Sequence, residues 1–404
     1  MKTVKFFTLG CKANQYDTQS IRERFIRAGF RVIDNGRPAD FCVINTCTVT
    51  SAADRKSKAV IRQCIRRNPR AGVLVTGCLV KKDASALSRI KGVRCIISKA
   101  FFPDGITTFA GRTRAFLKIQ DGCNNFCSYC KVPLVRGRSR SRPAHAICAE
   151  ASALAASGFR EIVLTGICLG SYGKDASGRT DLVALIRKLE EVPGILRLRL
   201  SSIEVNDVSE GLIRLLKSSK KLCKHLHIPL QSGDDEVLEA MNRAYTAGDF
   251  LQLIRMIRRR VPDIAITTDV LVGFPAETQA CFQHTLATVK VSMPLKVHVF
   301  PFSQRPGTQA ARRQYRLLEP SEMQRRIERV NQVADDCSVR YRSRFLGKTV
   351  QVLFEGRSCA KRGFWEGHTG NYLKVLAKAN RNLANQLIPV KLAALSGGSI
   401  IGSI

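Results

Sequence analysis

Several features are scarce in this 404-residue chain, and each scarcity excludes something. No apolar run approaches the roughly 18 residues that cross a bilayer, so a membrane span is not expected. The opening, MKTVKFFTLGCKANQYD, soon turns polar and lacks a signal-peptide cleavage pattern, so a cytoplasmic protein is expected. Acidic residues are few: 32 Asp and Glu face 66 Lys and Arg, for a net charge of +34. A host-wide compositional bias would produce that excess. A polyanionic partner accounts for it better, because neutralising phosphates releases condensed counterions. With no span or amphipathic anchor in view, nucleic acid fits better than a membrane. Cysteine is the opposite case. There are 15, an odd number, and in a reducing compartment clusters of them point to metal or catalysis rather than to disulfides.

The most informative absence is a fourth cysteine. The stretch DGCNNFCSYC supplies Cys123, Cys127 and Cys130, and Lys131, Val132 and Pro133 follow where a ferredoxin run would place another thiolate. A zinc site would need a second CxxC pair or nearby histidines, and neither is present. The CxxxCxxC spacing lets one loop wrap three irons of a 4Fe-4S cube, leaving one iron open. Tyr129 precedes the last of these cysteines, as loop packing or as a flank for a stacked base. Cys42, Cys64, Cys95, Cys148, Cys223, Cys281, Cys337 and Cys359 stand singly and read as small buried hydrophobes.

With 45% apolar residues the chain has a globular composition, and its length suits two or three domains of α/β class. In residues 1–105, KTVKFFTLG, DFCVINT, GVLVTG and VRCIIS read as strands of a parallel sheet. Helices between them start near Asp17 or Thr18, closed by Gly29, and near Ser51, with Asp54 as a capping acid. Cys11, Cys47 and Cys78 each fall just past a strand, on the edge where such sheets bind ligands, so three distant thiols are expected to converge. Residues 101–113, FFPDGITTFAGRT, read as a linker. From 106 to 340, six strand–helix units (FLKIQ, EIVLTG, LRLRLSS, HLHIPL, DIAITTDV and LKVHVF for the strands) are too few for a closed eight-unit barrel. They suit a partial (βα)6, TIM-like barrel with its site at the strand ends. A charged helix covers about 319–343. Residues 341–404 read as a small β-barrel built from GKTVQVLFEG, FWEGHTGNYLKVLA and QLIPVKLAAL, and the tail LSGGSIIGSI carries no readable pattern.

At this point the chain resembles a known family. CNNFCSYC is similar to the signature of radical S-adenosylmethionine enzymes. TLGCKANQYDT, INTCTVT and VTGC resemble the amino-terminal domain of their methylthiotransferase family, and HIPLQSGDDEVLEAMNR and DVLVGFPAET its radical domain. The final segment looks like the family's RNA-binding TRAM barrel. The resemblance covers almost the whole chain. It implies a 4Fe-4S cluster on Cys123, Cys127 and Cys130 whose open iron is chelated by S-adenosyl-L-methionine. It implies a second 4Fe-4S cluster on Cys11, Cys47 and Cys78, tied to sulfur insertion. The implied reaction replaces a C–H bond by C–S–CH3, with one S-adenosylmethionine cleaved reductively and another donating methyl.

Within the family the acceptor is a tRNA adenosine beside the anticodon or a ribosomal-protein aspartate. HIPLQSG resembles the tRNA enzymes. LTGICLGSYG, SSIEVNDVSEGLI and KVHVFPFSQRPGTQA resemble the branch acting on N6-threonylcarbamoyladenosine, with the N6-isopentenyladenosine branch as runner-up. The implied partners are the tRNA anticodon stem-loop and an electron donor such as a flavodoxin. No motif specifies a sulfur source. Arg136, Arg138, Arg140 and Arg142, in RGRSRSR, read as phosphate contacts or as a solvated basic loop. Trp365, with Phe364 and Tyr372, reads as a base-stacking group or as barrel core. Tyr129, Gln231, Ser232 and Arg243 are candidate contacts to S-adenosylmethionine, and Glu204 and Asp269 are strand-end acids without an assigned role. Cys168 and Val205 depart from the branch pattern, where His and Pro are expected.

Overall fold

Apolar runs alternate with amphipathic stretches in the first 97 residues, and they build a five-stranded parallel sheet. The computed structural model describes residues 1–33, 37–97, 105–175, 180–312 and 317–404, so part of the expected linker (101–104) lies outside the described residues. The strands are β1 (Thr3–Thr8), β2 (Arg31–Val32), β3 (Phe41–Thr46), β4 (Gly72–Gly77) and β5 (Val93–Ile96), in the order β2-β1-β3-β4-β5. One face packs Ile44, Val73 and Val75 against Ile61, Leu79 and Leu87 of the helices Ser51–Arg67 and Cys78–Ser88. The other packs Val4 and Val43 against Ile21. One expected helix start shifts, and the other, at Ser51, holds. The first helix runs Lys12–Arg27, five residues earlier than expected, because Asp17 is held by tertiary ion pairs instead of capping. The second is capped by Thr50, whose hydroxyl accepts from the Ala53 amide at 3.1 Å.

The next strands are β6 (Arg114–Lys118), the short pair β7 (Gln120–Asp121) and β8 (Arg140–Ser141), β9 (Glu161–Thr165), β10 (Arg197–Leu200), β11 (His225–His227), β12 (Ala265–Val272) and β13 (Lys296–Pro301). Two parallel three-stranded sheets, β10-β9-β6 and β11-β12-β13, are joined by isolated parallel bridges at Leu198–Leu222 and Ser202–His227. The result is the expected six-stranded partial barrel. The helix Lys12–Arg27 lies beside β6, where Lys118 Nζ sits 5.1 Å over the Tyr16 ring.

The carboxy-terminal barrel closes in the order β14 (Thr349–Arg357), β15 (Phe364–Thr369), β16 (Lys374–Lys378), β18 (Ser399–Ser403) and β17 (Leu387–Ser396). Two expectations change here. FWEGHTGNYLKVLA makes two strands rather than one, and the tail supplies β18, which pairs parallel to β16 and antiparallel to β17. The barrel docks onto the N-terminal strand ends of the partial barrel. Arg197 and Arg199 donate to the carbonyls of Gln351, His368, Thr369 and Gly370, and the Tyr372 ring stacks between His225 (4.6 Å) and His368 (5.1 Å). Tyr341, on the helix Pro320–Ser343, donates to the Asp263 carbonyl at 2.7 Å. Among the described residues no helix is long and apolar enough to cross a membrane.

Because β18 closes the barrel, its fully buried Ile400 should matter despite its terminal position. Ile400→Ala is expected to cost about 2–5 kcal/mol, read as a lowered denaturation midpoint by circular dichroism.

Candidate active site

Cys11, Cys47 and Cys78 follow three adjacent strands, β1, β3 and β4, and parallel strands bring their carboxyl ends to one edge. Cys11 is the N-cap of the first helix, and Cys78 opens its own helix. Gly10 measures how close they come. Its φ is +100°, and a Cβ there would lie 2.9 Å from Cys47 Cβ and 3.0 Å from Cys47 Sγ. Asn14 ties the edge together: its Nδ2 donates to the Leu9 and Thr46 carbonyls at 2.8 and 3.0 Å, and its Oδ1 accepts from the Cys78 thiol at 3.8 Å. Burial, with the neighbouring Cys78 and Cys11 sulfurs, pushes the Cys47 thiol up to about 11. Thiols that oppose one another's ionisation become thiolates when a metal replaces their protons.

The second set sits on the loop after β7. Gly122 has φ +76°, and a Cβ there would lie 2.0 Å from the Arg138 carbonyl oxygen, so only glycine admits this approach. Ser128 pins the loop to the helix Asp235–Ala240 and its C-cap, donating its amide to Met241 O at 2.9 Å and its hydroxyl to Ala240 O at 2.8 Å. Burial and Cys127 push the Cys130 thiol up to about 12. Among the described residues, the groups whose metal-ligand atoms all lie within 4.8 Å of one another are elsewhere, so neither thiol set is gathered around a single ion. A cube, whose ligands sit on separate irons, fits that wider spacing.

Arg243 reaches the second set directly. Its Nη1 donates to Cys127 Sγ at 3.3 Å, and its Nη2 pairs with the Glu204 carboxylate and the Tyr245 hydroxyl. Burial raises the Glu204 carboxyl against the opposing pull of Arg243. A cavity of about 100 Å³ opens here, lined by Asn125, Cys127, Glu204, Asn242, Arg243 and Tyr245. The other proposed cofactor contacts are placed differently. The Tyr129 ring packs edge-on against Phe274 at 6.3 Å. Gln231, with φ +63°, joins its backbone to β12, its amide donating to Asp269 O at 2.8 Å. Ser232 is fully buried, with its Oγ 3.3 Å from Thr285 Oγ1, and shapes the turn.

The arginine loop divides. Arg138 and Arg140 are exposed, and Arg138 lies 4.7 Å over the ring of Phe126, itself an exposed residue of the cysteine loop. Arg136 and Arg142 turn inward, so they do not form a phosphate-binding face. Arg136 is 3% exposed and pairs with Asp121 at 2.9 Å and Asp17 at 3.6 Å, while also donating to Asn14 Oδ1. It thus links the radical loop to the helix behind Cys11. Against the cost of burial, Asp121, Cys78, Asp17 and Cys11 hold its guanidinium well above the ordinary value. Arg142 donates to Tyr16 Oη at 3.0 Å and Glu150 Oε2 at 2.6 Å. Trp365 is a core residue of the small barrel, 5% exposed, with Arg357 4.3 Å over its ring. Cys95 and Cys359 are exposed rather than buried.

Cys168 lies buried beside the radical loop. Its thiol donates to Asp207 Oδ2 at 3.6 Å, its proximity to Cys123 lowers the Cys123 pKa and raises its own, and the Ser171 hydroxyl donates to its sulfur at 3.1 Å. Val205 packs into the barrel core. Sequence reasoning missed Arg305, whose Nη2 reaches across to Thr48 O at 3.0 Å and Asp54 Oδ2 at 2.6 Å, clamping the segment after Cys47 to the partial barrel. It also missed a polar barrel interior. Alternation along HLH, TTD and KVH puts His227, Asp269 and His298 on one face, a period-two signal that was present in the sequence.

Arg136→Met would leave Asp17 with Lys118 alone and take from Asp121 its shorter ion pair. The variant is expected to lose about 3–5 kcal/mol of stability, measured by urea denaturation, because it leaves buried carboxylates short of charge.

Comparison with known proteins agrees with this geometry. Residues 117–289 match the Radical SAM superfamily, and residues 3–98 match the Uncharacterized protein family UPF0004. The chain is 35% identical to the threonylcarbamoyladenosine tRNA methylthiotransferase MtaB of Bacillus subtilis, covering 97% of this chain and 94% of the relative. It is 38% identical to the protein of that name from Chlamydia pneumoniae, covering 100% and 98%. It is 32% identical to the tRNA-2-methylthio-N(6)-dimethylallyladenosine synthase of Acetivibrio thermocellus, covering 98% and 90%. The radical S-adenosylmethionine methyltransferase TsrM of Kitasatospora setae shares the fold, with a TM-score of 0.56 at 16% identity over 77% of each chain. With two converging thiol sets and relatives matched along nearly its full length, the chain belongs to the radical S-adenosylmethionine methylthiotransferase family.

Proposed function

We propose that this enzyme adds a methylthio group to C2 of N6-threonylcarbamoyladenosine beside the tRNA anticodon, at position 37. The carrying observation is the pair of three-cysteine sets, one on the amino-terminal sheet edge and one on the barrel loop, held to each other through Arg136. When bound, 4Fe-4S clusters on Cys123, Cys127 and Cys130 and on Cys11, Cys47 and Cys78, together with S-adenosylmethionine, supply hydrogen abstraction and sulfur placement. The chain's own residues organise that chemistry. Arg243 and Glu204 border the cavity beside Cys127, where a charged amino-acid moiety finds both signs of charge. Arg136 and Arg305 fix the distance between the two domains. Arg138, Arg140 and Phe126 present cation and ring surface outside the loop, suited to phosphate and base contact.

The division of labour follows residues 1–105 for the second thiol set, 106–340 for the radical core and 341–404 for RNA contact. The matched relatives named for threonylcarbamoyladenosine favour that acceptor, and those named for dimethylallyladenosine keep N6-isopentenyladenosine as the second reading. The proposed setting is the cytoplasm, with tRNA as substrate and an electron donor such as a flavodoxin.

The test is anaerobic turnover of the reconstituted enzyme with S-adenosylmethionine, reductant and tRNA lacking the methylthio group, followed by nucleoside mass spectrometry. Methylthio-threonylcarbamoyladenosine is the expected product, and methylthio-isopentenyladenosine would overturn the branch. Cys127→Ala is expected to abolish both S-adenosylmethionine cleavage and thiolation. Cys47→Ala should keep the cleavage and lose the thiolation, and wild-type thiolation by that variant would refute the two-cluster assignment. In tRNA binding, Arg138→Ala and Arg140→Ala should each lower the slope of log K against log salt by about one.

A further inference from the structure

The inner face of the partial barrel carries groups that neither thiol set uses. Leu226 and Ile228, Ile266 and Val270, and Val297 and Val299 pack outward with the helices, so the residues alternating with them point inward. His227 pairs in register with Thr267, and Asp269, two residues further along the same face, pairs with His298 of β13. One ligand-type atom from each of His227, Asp269 and His298 lies within 4.8 Å of the other two. His227 Nε2 is 3.2 Å from Asp269 Oδ2, and the His227 and His298 rings meet edge to face at 5.8 Å.

This group is not a finished hydrogen-bond network. Beyond the approach of His227, no described residue offers the Asp269 carboxylate a hydrogen bond, and the His298 ring has no hydrogen-bond partner among the described residues. There is also room beside them. The side chains of His227 and Asp269 keep 16% and 22% of their surface, and His298 is only half-buried, so solvent reaches the space they share. Thr267 Oγ1 lies 3.0 Å from both His227 Nδ1 and His225 Nε2. With Nδ1–H of His227 donating to that hydroxyl, and the hydroxyl donating on to His225, the Nε2 lone pair of His227 faces a carboxylate. Two electron-rich atoms 3.2 Å apart repel unless a cation lies between them. The spacing suits one, because donors about 2.1 Å from a metal, at an angle of about 100°, stand about 3.2 Å apart. Fixing the other ring nitrogen by a hydrogen bond, as Thr267 does, is what metal-bound imidazoles require.

We propose that His227, Asp269 and His298 form a mononuclear site for a first-row divalent cation, separate from both cysteine sets. Two imidazoles and a carboxylate suit Mn2+, Fe2+ or Zn2+ better than Mg2+ or Ca2+, which prefer oxygen alone. Three protein donors leave positions open toward the solvent-reached interior, where water or an oxygen of a bound molecule completes the shell. The site stands whichever nucleoside the enzyme modifies.

The test titrates Mn2+ into anaerobically reconstituted holoenzyme with its clusters oxidised, a state silent in electron paramagnetic resonance, so the signal of free Mn2+ reports binding. The wild type is expected to take up a single Mn2+ per chain, and Zn2+ to displace it, following the usual order of affinities. Asp269→Asn and His298→Ala are each expected to weaken Mn2+ binding about tenfold or more, with iron content unchanged. Absence of saturable Mn2+ uptake by the wild type overturns the site. Weakening of less than about threefold in either variant also overturns it, since the ion would then sit on surface carboxylates or spare thiols. Should Asp269→Asn lose iron or unfold, the half-buried His298 decides through His298→Ala by the same criterion.

Discussion

A buried guanidinium ties the two halves of this site together where they meet. Arg136 leaves the short helix after the radical loop, passes out of solvent, and ends among Asp121, Asp17 and Asn14. Asp121 belongs to the strand that leads into Cys123, whereas Asp17 and Asn14 belong to the helix capped by Cys11. The arrangement needs every partner at once, because each of these charges would be expensive to bury alone. It also explains why Asp17 stands in the middle of a helix rather than at its start. The residue serves the contact between domains, and Lys118 from the barrel shares it.

The same constraint sets the geometry of the thiols. Parallel strands deliver Cys11, Cys47 and Cys78 to one sheet edge, and that edge faces the loop bearing Cys123, Cys127 and Cys130. Arg305 adds a second clamp from the far side of the barrel, on the segment between Cys47 and the helix that follows. Two clamps, one from the short helix after the radical loop and one from the segment after β13, resist both sliding and hinging of the amino-terminal sheet. Chemistry that joins groups from two separate centres requires such fixed spacing, since small misplacements of reacting atoms cost large factors in rate.

Much of this was legible in the sequence, because strand–helix alternation and cysteine spacing are local patterns. The six barrel strands and four of the five strands of the amino-terminal sheet fell where their residues indicated, whereas the two-residue β2 is too short to leave a pattern. What escaped depended on partners distant in the chain. RGRSRSR reads uniformly basic, yet Arg136 and Arg142 are drawn inward by Asp17, Asp121 and Glu150, and only Arg138 and Arg140 remain outside. Trp365 could stack on a base or fill a core from sequence alone, and the closed barrel puts it in the core. The tail looked featureless because β18 draws its order from β16 and β17, which flank it, rather than from its own propensities.

The barrel interior shows what the chain's excess of positive charge does besides attracting a polyanion. An ordinary barrel fills its centre with branched apolar side chains. Here the inward positions of β10, β11, β12 and β13 carry Arg199, His225, His227, Thr267, Asp269 and His298, tied by hydrogen bonds and stacked rings. Such a lining forgoes the stability of a packed apolar core, and it is retained where a polar molecule must enter. The small barrel seals the opposite end with Tyr372 under the cations of Arg114 and Arg199. With that end closed, access is left to the carboxyl ends of the strands, where both thiol sets lie.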